Sequence, residues 1–194
     1  MVELAAIEQE AWAQLSKVEG APDHPFRTVS LASIDQQGHP QTRSLILRAA
    51  DPETKRIILH TDIRSAKWAE LQANPKVSLL GYDPTARLQL RFAGQAALFA
   101  PGSSEQEDAW LALSDWTKST YCGGPPGHDV TQGYAPAPRD APPSEEESAF
   151  GQMRFGVIEI RAQVMDWYRH QRGENLRAQF RYDGADSTGV WVNP

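Results

Sequence analysis

Cysteine is nearly missing from this chain: Cys122 stands alone among 194 residues. No internal disulfide can form, and a single thiol makes neither a zinc cluster nor a redox pair. Excess positive charge is missing as well. Nineteen Lys and Arg face 25 Asp and Glu, for a formal charge of -6. General nucleic-acid binding needs a basic face that displaces phosphate counterions, so nucleic acid is excluded as a partner. No apolar run approaches the roughly 20 residues that cross a bilayer, and Met1-Val-Glu-Leu4 has neither the basic start nor the apolar core of a secretory signal. No membrane partner and a cytoplasmic location are therefore expected. Metal chemistry lacks a pattern too: His24, His39, His60, His128 and His170 show no HExxH or other ligand spacing. Gly123-Gly-Pro-Pro-Gly127 has no Lys-Ser/Thr and no following helix, as a phosphate loop would require.

What is present reads as one domain over residues 1–194, a length at which a single well-buried core is the default. Leu4, Ile7, Ala11, Trp12, Leu15 and Val18 recur at helical spacing over residues 2–18, and Gly20-Ala-Pro22 stops that helix. The period then changes to two. Thr28–Ile34 and Gln41–Leu47 read as strands around the turn Asp35–Pro40, and Lys55–Thr61 as a third strand after Asp51-Pro-Glu-Thr54. A short helix over Ser65–Ala73 ends at Asn74-Pro75. Lys76–Tyr82 and Ala86–Phe99 read as a further strand pair, with Leu88, Leu90 and Phe92 on one face and Arg87, Gln89 and Arg91 on the other. A helix over 104–114 follows. From Lys118 to Phe150 periodicity is lost in a long Pro- and Gly-rich loop, and a loop of that length in a compact domain is functional or disordered. Arg154–Tyr168 alternates again, and Phe180–Tyr182 and Gly189–Val192 close the chain as short strands.

Strands from Thr28 to Thr61 run together without intervening helices, which disfavours a doubly wound α/β sheet. Six or seven antiparallel strands with a few covering helices predict a mainly β protein, a closed or nearly closed barrel, because closure removes the exposed edges of an open sheet.

Three segments carry candidate chemistry: Arg43-Ser44-Leu45-Ile46-Leu47-Arg48, His60-Thr61-Asp62-Ile63-Arg64-Ser65-Ala66-Lys67, and Gln89 within Leu88–Phe92. Arg43 and Arg48 lie five apart, so on a regular strand they point to opposite faces. Each is either a surface arginine whose stem covers apolar area or a guanidinium fork that holds phosphate. Thr61, Ser65 and Lys67 put hydroxyls, amides and a cation at a helix start, where unpaired N–H groups and the helix dipole attract anions; the bland reading is a capped helix and a solvated lysine. Gln89 fits the wet face of its strand as well as a ligand contact. Trp167 either stacks on a planar ligand, completes a dimer contact or packs in the core.

These motifs, in this order, resemble the pyridoxamine 5'-phosphate oxidase family of FMN-binding split barrels. There the first strand reads Arg-x-hydrophobic-x-Leu-Lys and the second element aromatic-Thr-Asn-x-x-Ser-Arg-Lys. The likeness covers most of residues 25–100 and, loosely, 154–194, including the closing Trp191-Val-Asn-Pro194. It implies a Greek-key split barrel that binds FMN at the interface of a homodimer. Arg43, Thr61, Ser65 and Lys67 would hold the phosphate and ribityl chain. Ser44, Leu45, Ile46, Arg48, His60 and Trp167 complete the cofactor-binding set, and Gln89 would reach the flavin ring from the neighbouring subunit. Arg48 also offers an anchor for an anionic group of a small-molecule substrate. In the family's reaction the flavin N5 takes a hydride from a phosphorylated B6 vitamer and oxygen reoxidises it. The departures are specific. The family's arginine beside the lysine is Ala66, and its Arg-Leu-His-Asp-Arg-Phe, whose first Arg and His face the B6 substrate, is Asn175-Leu-Arg-Ala-Gln-Phe180. The resemblance thus implies an FMN-dependent oxidoreductase with an undefined substrate and no assigned catalytic residue. The alternative is a non-catalytic binding or carrier protein for FMN, deazaflavin or haem on the same barrel.

Overall fold

The computed structural model describes residues 3–127, 142–184 and 186–194. Eight antiparallel strands form one sheet: β1 (Thr28–Ile34), β2 (Pro40–Asp51), β3 (Arg56–Asp62), β4 (Lys76–Asp83), β5 (Leu88–Phe99), β6 (Phe155–Arg169), β7 (Leu176–Asp183) and β8 (Asp186–Trp191). Their order is β3-β2-β1-β4-β5-β6-β7-β8, and β3 also pairs with β6 from Arg56↔Arg161 to Asp62↔Phe155. That pairing closes a six-strand barrel, and β7 and β8 extend the sheet beyond it. The connection from β3 to β4 skips over β2 and β1, the Greek-key step. It is carried by helix α2 (Ala66–Ala73).

Side-chain alternation fills the barrel as expected. Val29 and Leu31 from β1, Ile57 and Leu59 from β3, Leu88, Leu90 and Phe92 from β5, and Ile158 and Ile160 from β6 are 3% exposed or less and share one core. The long β5–β6 ladder slips register between Ala93 and Gly94. A Cβ at Gly94 would lie 2.1 Å from the Arg161 carbonyl oxygen, so only glycine allows the two strands to approach there. Helix α1 (Leu4–Ser16) lays Ile7, Ala11, Trp12 and Leu15 on the core. Trp12 Nε1 donates to Tyr182 Oη at 2.9 Å, and Lys55 Nζ lies 5.4 Å and 5.2 Å from the Trp12 and Tyr182 ring centres and 2.9 Å from Glu8 Oε1.

A second, smaller cluster of Trp110, Tyr121, Phe155 and Val157 covers the outside of the barrel beneath α3 (Ser104–Leu111), α4 (Asp115–Ser119) and α5 (Glu145–Gln152). The stretch 118–150 is therefore not loop throughout. Ser144 Oγ accepts from the Glu147 amide while Glu147 answers to the Ser144 amide, a capping box that starts α5. Residues 128–141 of the expected loop, with His128, lie outside the described residues. The expected helix over 104–114 stops at Leu111, and the final strands run longer than expected because β7 pairs with β6 from Leu176 onward. No helix among the described residues is long and apolar enough to cross a membrane.

Candidate functional site

Arg43 sits opposite Leu31 in the β1–β2 ladder, on the strand face shared by Val29, Leu31, Ser33 and Leu45. At this rim the apolar series gives way to polar groups. Arg43 Nη2 is 2.7 Å from Glu70 Oε2, Nη1 donates to Ser33 Oγ, and Ser33 Oγ donates to the same Glu70 oxygen. Along β3 the inward series Ile57, Leu59, Thr61 puts Thr61 at the same end, buried to 4% exposure. Lys67 Nζ donates to Thr61 Oγ1 at 3.2 Å, and Thr61 Oγ1 lies 3.3 Å from Ser65 Oγ. Burial lowers the Lys67 pKa, and the Arg43 charge lowers it further against the pull of Asp62 and Glu70. Ser65 stands at the N-cap of α2 but does not cap it; its hydroxyl donates to the Asp62 carbonyl at 2.6 Å. The helix start has no acidic residue in its first turn. Arg43, Thr61, Ser65 and Lys67, distant in sequence, form one half-buried cationic cup.

Arg48 and His60 lie on the other side of the same two strands. The spacing of five sends Arg48 outward, where a register shift between Leu47 and Ala49 sets it near Ile58 and His60. His60 stands edge-on to Phe155, ring centres 4.8 Å apart, and its Nδ1 is buried without a partner. Burial, then the Arg48 charge, pushes its pKa down to about 3, so His60 is neutral at physiological pH. Arg48 makes no hydrogen bond or ion pair among the described residues, and its Nε is buried without a partner. Tyr121, on the same side, is pushed up to about 12 by burial. A cavity of about 300 Å³ opens beside Arg48, Arg27 and His60. Ser44 is exposed on this outer side, with Ile46 half-buried, while Leu45 packs inward on the core.

Residues 9–100 match the family described as pyridoxamine 5'-phosphate oxidase, FMN-binding domain. The chain belongs to the pyridoxamine 5'-phosphate oxidase-like FMN-binding split-barrel family. Among its relatives, a pyridoxine/pyridoxamine 5'-phosphate oxidase of Rhodopseudomonas palustris is 30% identical over 142 residues, 73% of this chain and 58% of that protein. One of Chromobacterium violaceum is 34% identical over 89 residues, 46% and 39% of the two chains. The chain spans about half the length of the curated relatives it matches. The fold is that of a pyridoxamine 5'-phosphate oxidase-related FMN-binding protein from Nostoc punctiforme, with TM-score 0.75, 21% identity and coverage of 96% and 97%. It is also that of PhzG from Burkholderia lata, with TM-score 0.68, 18% identity and coverage of 98% and 92%.

The remaining residues that the oxidase-like resemblance singles out are not in the cup. Gln89 is half-buried on the outer face of β5, in register with Tyr82 and Tyr168, and makes no hydrogen bond with the Arg43 group. Trp167 is in the main core, 2% exposed, opposite Leu90 and Ala178 and edge-on to Trp191. In this chain its ring is packing. Three partners escaped the sequence reading: Ser33 and Glu70, which hold Arg43, and Asp166. Asp166 is buried, and burial alone would raise its pKa, yet the Arg177 hydrogen bond and charge, followed by Arg91, bring it below the usual carboxylate range. Arg177 Nε and Nη2 donate to it at 2.9 and 2.7 Å, and Arg91 Nη2 at 2.7 Å. Arg177 stands at the place of the histidine in the family motif that this segment resembles, and its Nε and Nη2 are turned to Asp166. Among the described residues no cluster of three or more His, Cys, Asp or Glu could hold a metal.

Proposed function

We propose that the protein is a homodimeric, cytoplasmic FMN-dependent oxidoreductase acting on a small molecule other than a B6 vitamer. The observation that carries the reading is the cup itself. Two cations, Arg43 and Lys67, share one end of the barrel, and the ion pair with Glu70 satisfies only one of them. Lys67, whose charged form burial and the Arg43 charge disfavour, sits in a half-buried place with one hydroxyl partner, a placement that an added anion stabilises. Thr61 brings a hydroxyl beside Lys67, while the Ser65 hydroxyl is given to the Asp62 carbonyl, and the uncapped α2 start supplies amide donors. This donor set fits a phosphomonoester, and FMN is the phosphomonoester that the matched domain takes. Within the cup, Arg43 would take the phosphate with its planar fork while Glu70 and Ser33 keep that fork in orientation. Lys67 would give a point charge steadied by Thr61. Bound FMN supplies two-electron redox chemistry at its ring, which the protein positions. Gln89 of a second subunit is the proposed ring contact.

The lost B6 motif argues for a different substrate. Arg177, committed to Asp166 by two hydrogen bonds, does not replace a histidine that must face a substrate. The same observation supports the second reading, an FMN carrier without turnover. Purified protein should be yellow as isolated or gain flavin absorbance on FMN titration, and a colourless protein with no gain refutes both readings. Peroxide release when pyridoxamine 5'-phosphate is added to the loaded protein would restore the B6 oxidase and overturn the different-substrate reading.

A further inference from the structure

Between β3 and α2 the chain turns a corner through Asp62, Ile63 and Arg64, and that corner sets the cup. The Asp62 carbonyl takes both the amide of Ser65 at 3.1 Å and its hydroxyl at 2.6 Å. The Asp62 carboxylate is buried. It receives the Arg64 amide at 2.8 Å and the Arg64 fork, with Nε 3.0 Å from Oδ1 and Nη2 2.6 Å from Oδ2. One residue thus places the start of α2 with its backbone and Arg64 with its side chain. Asp62 stands where the family motif has Asn, and Arg64 where that motif fixes no residue, so the motif does not account for this ion pair.

Arg64 does not stop at Asp62. Its Nη2 also donates to the Gly123 carbonyl at 3.1 Å and to the Gly124 carbonyl at 3.3 Å, just beyond α4. Arg154 reaches the same stretch from the start of β6: its Nη1 donates to the Cys122 carbonyl at 3.2 Å and the Gly123 carbonyl at 3.1 Å, while its own carbonyl accepts the Ile63 amide at 2.8 Å. Three successive carbonyls are therefore turned onto two guanidinium groups, one within the corner and one bonded to it. Gly123 and Gly124 bring no side chain to pack, so these charge-assisted bonds seat the segment. The corner itself is pressed onto β6, since a Cβ at Gly156 would lie 2.6 Å from Ile63 Cγ2 and 2.6 Å from the Trp68 ring. A phosphate in the cup takes hold of Thr61, Lys67 and the α2 amides, which follow the corner on one side. Segment 122–124 takes hold of the corner on the other. Two partners that order one element strengthen each other, and by linkage each does so by the same factor.

We propose that Asp62 and Arg64 are positioning residues for the FMN site, which couple phosphate binding in the cup to the seating of Cys122–Gly124, the end of the α4 cover, on the β3–α2 corner. The proposal rests on the reading of the cup as the phosphate site. The two are measured apart, because the cup is read at residues 61–67 and the coupling at residues 118–124.

Hydrogen–deuterium exchange with and without FMN reads the coupling, and flavin fluorescence titration reads the affinity. In the wild-type protein FMN should slow exchange over 61–67 and also over 118–124, where the Tyr121 and Cys122 amides donate to the Lys118 and Ser119 carbonyls at 3.0 and 3.1 Å. Arg64→Met should keep the slowing over 61–67, lose it over 118–124, and bind FMN at least about fivefold more weakly, the lower end of couplings between sites. Arg64→Lys, a cation without the fork, should fall between. Arg154→Met leaves Asp62, Arg64 and every cup residue in place and should weaken FMN as well. Should Arg64→Met fail to fold, Asp62→Asn keeps an acceptor for the Arg64 amide, gives up the ion pair, and should show the same loss over 118–124. FMN slowing over 118–124 that is equal in wild type and variant overturns the proposal and leaves the cup standing. So does unchanged FMN affinity in either arginine variant. FMN that binds without slowing 61–67 overturns the cup, and the coupling with it.

Discussion

Arg43 and Glu70 form an ion pair of 2.7 Å, with the carboxylate almost fully buried, inside the group of cations proposed to receive a phosphate. A carboxylate there works in two directions. It steadies Arg43 against the like charge of Lys67 when no anion is present, and it repels the phosphate when one arrives. Glu70→Gln keeps an acceptor for Arg43 and removes the negative charge. We expect FMN to bind about tenfold more tightly to Glu70→Gln, as a partly screened charge at this range implies, while the FMN-free variant melts at lower temperature. Arg43→Met strands a buried carboxylate and should cost about 3 kcal/mol in the FMN-free protein, beyond its loss of FMN affinity. Flavin fluorescence titration and thermal unfolding read the two effects apart.

Lys67 behaves in the opposite sense. Burial and Arg43 disfavour its charged form in the folded protein, so removing that charge relieves a cost. Lys67→Met should leave the melting temperature of the FMN-free protein unchanged or raised. FMN affinity should fall by at least about tenfold, the worth of a charge-assisted phosphate contact. A variant that loses stability and affinity together would mean that Lys67 is a structural cation and that the cup is misread.

Much of this was legible from residues alone, for reasons that differ between elements. The alternation Leu88, Leu90, Phe92 foretold an inward face, and these side chains are 3%, 0% and 1% exposed. Period-two patterning records which face is dry, so barrel strands announce themselves. The opposite facing of Arg43 and Arg48 followed from the same period. Glu70 did not show itself, because a glutamate on a short helix has a solvated face as its ordinary home. Its partner Ser33 lies 37 positions away and meets it only when α2 crosses over β1. Asp166 joins Arg91 and Arg177 across β5, β6 and β7, a product of register that no local pattern contains. Helix α5 was written plainly as Ser144-x-x-Glu147. Its acidic first turn, favourable at a helix N-terminus, reads as loop when taken with Pro142-Pro143.

His60 makes stability depend on acidity. The unfolded residue takes up its proton near pH 6.5, the folded one only near about 3. Between those values the unfolded chain binds the extra proton, so stability is full above pH 6.5 and falls on acidification. The limit is ~1.4 kcal/mol per pH unit, or about 2 kcal/mol between pH 6.5 and pH 5, above the range where most carboxylates titrate. His60→Gln should lack this component and show a flatter dependence of melting temperature on pH over that interval. Parallel slopes in the two proteins would mean that folded His60 is protonated, and that the cavity beside Arg48 is wetter than its walls imply.

Gly94 tests the barrel itself. It lies at the register shift of the β5–β6 ladder, and an added methyl would stand 2.1 Å from the Arg161 carbonyl oxygen and 3.1 Å from the Ala162 Cα. Both are backbone atoms, so no side-chain rotation relieves the contact, and the strands must part where β6 turns toward its pairing with β3. Gly94→Ala should therefore cost at least about 3 kcal/mol, the upper range for a single substitution. Gly102→Ala makes a control of a different kind. Its added methyl meets nothing within 4 Å, but its φ of +93° strains any side chain, so the cost there is backbone strain alone, about 1 kcal/mol. Chemical denaturation of the two variants separates the effects: the Gly94 variant should lose more stability than the Gly102 variant, and equal losses would show that the β5–β6 contact yields.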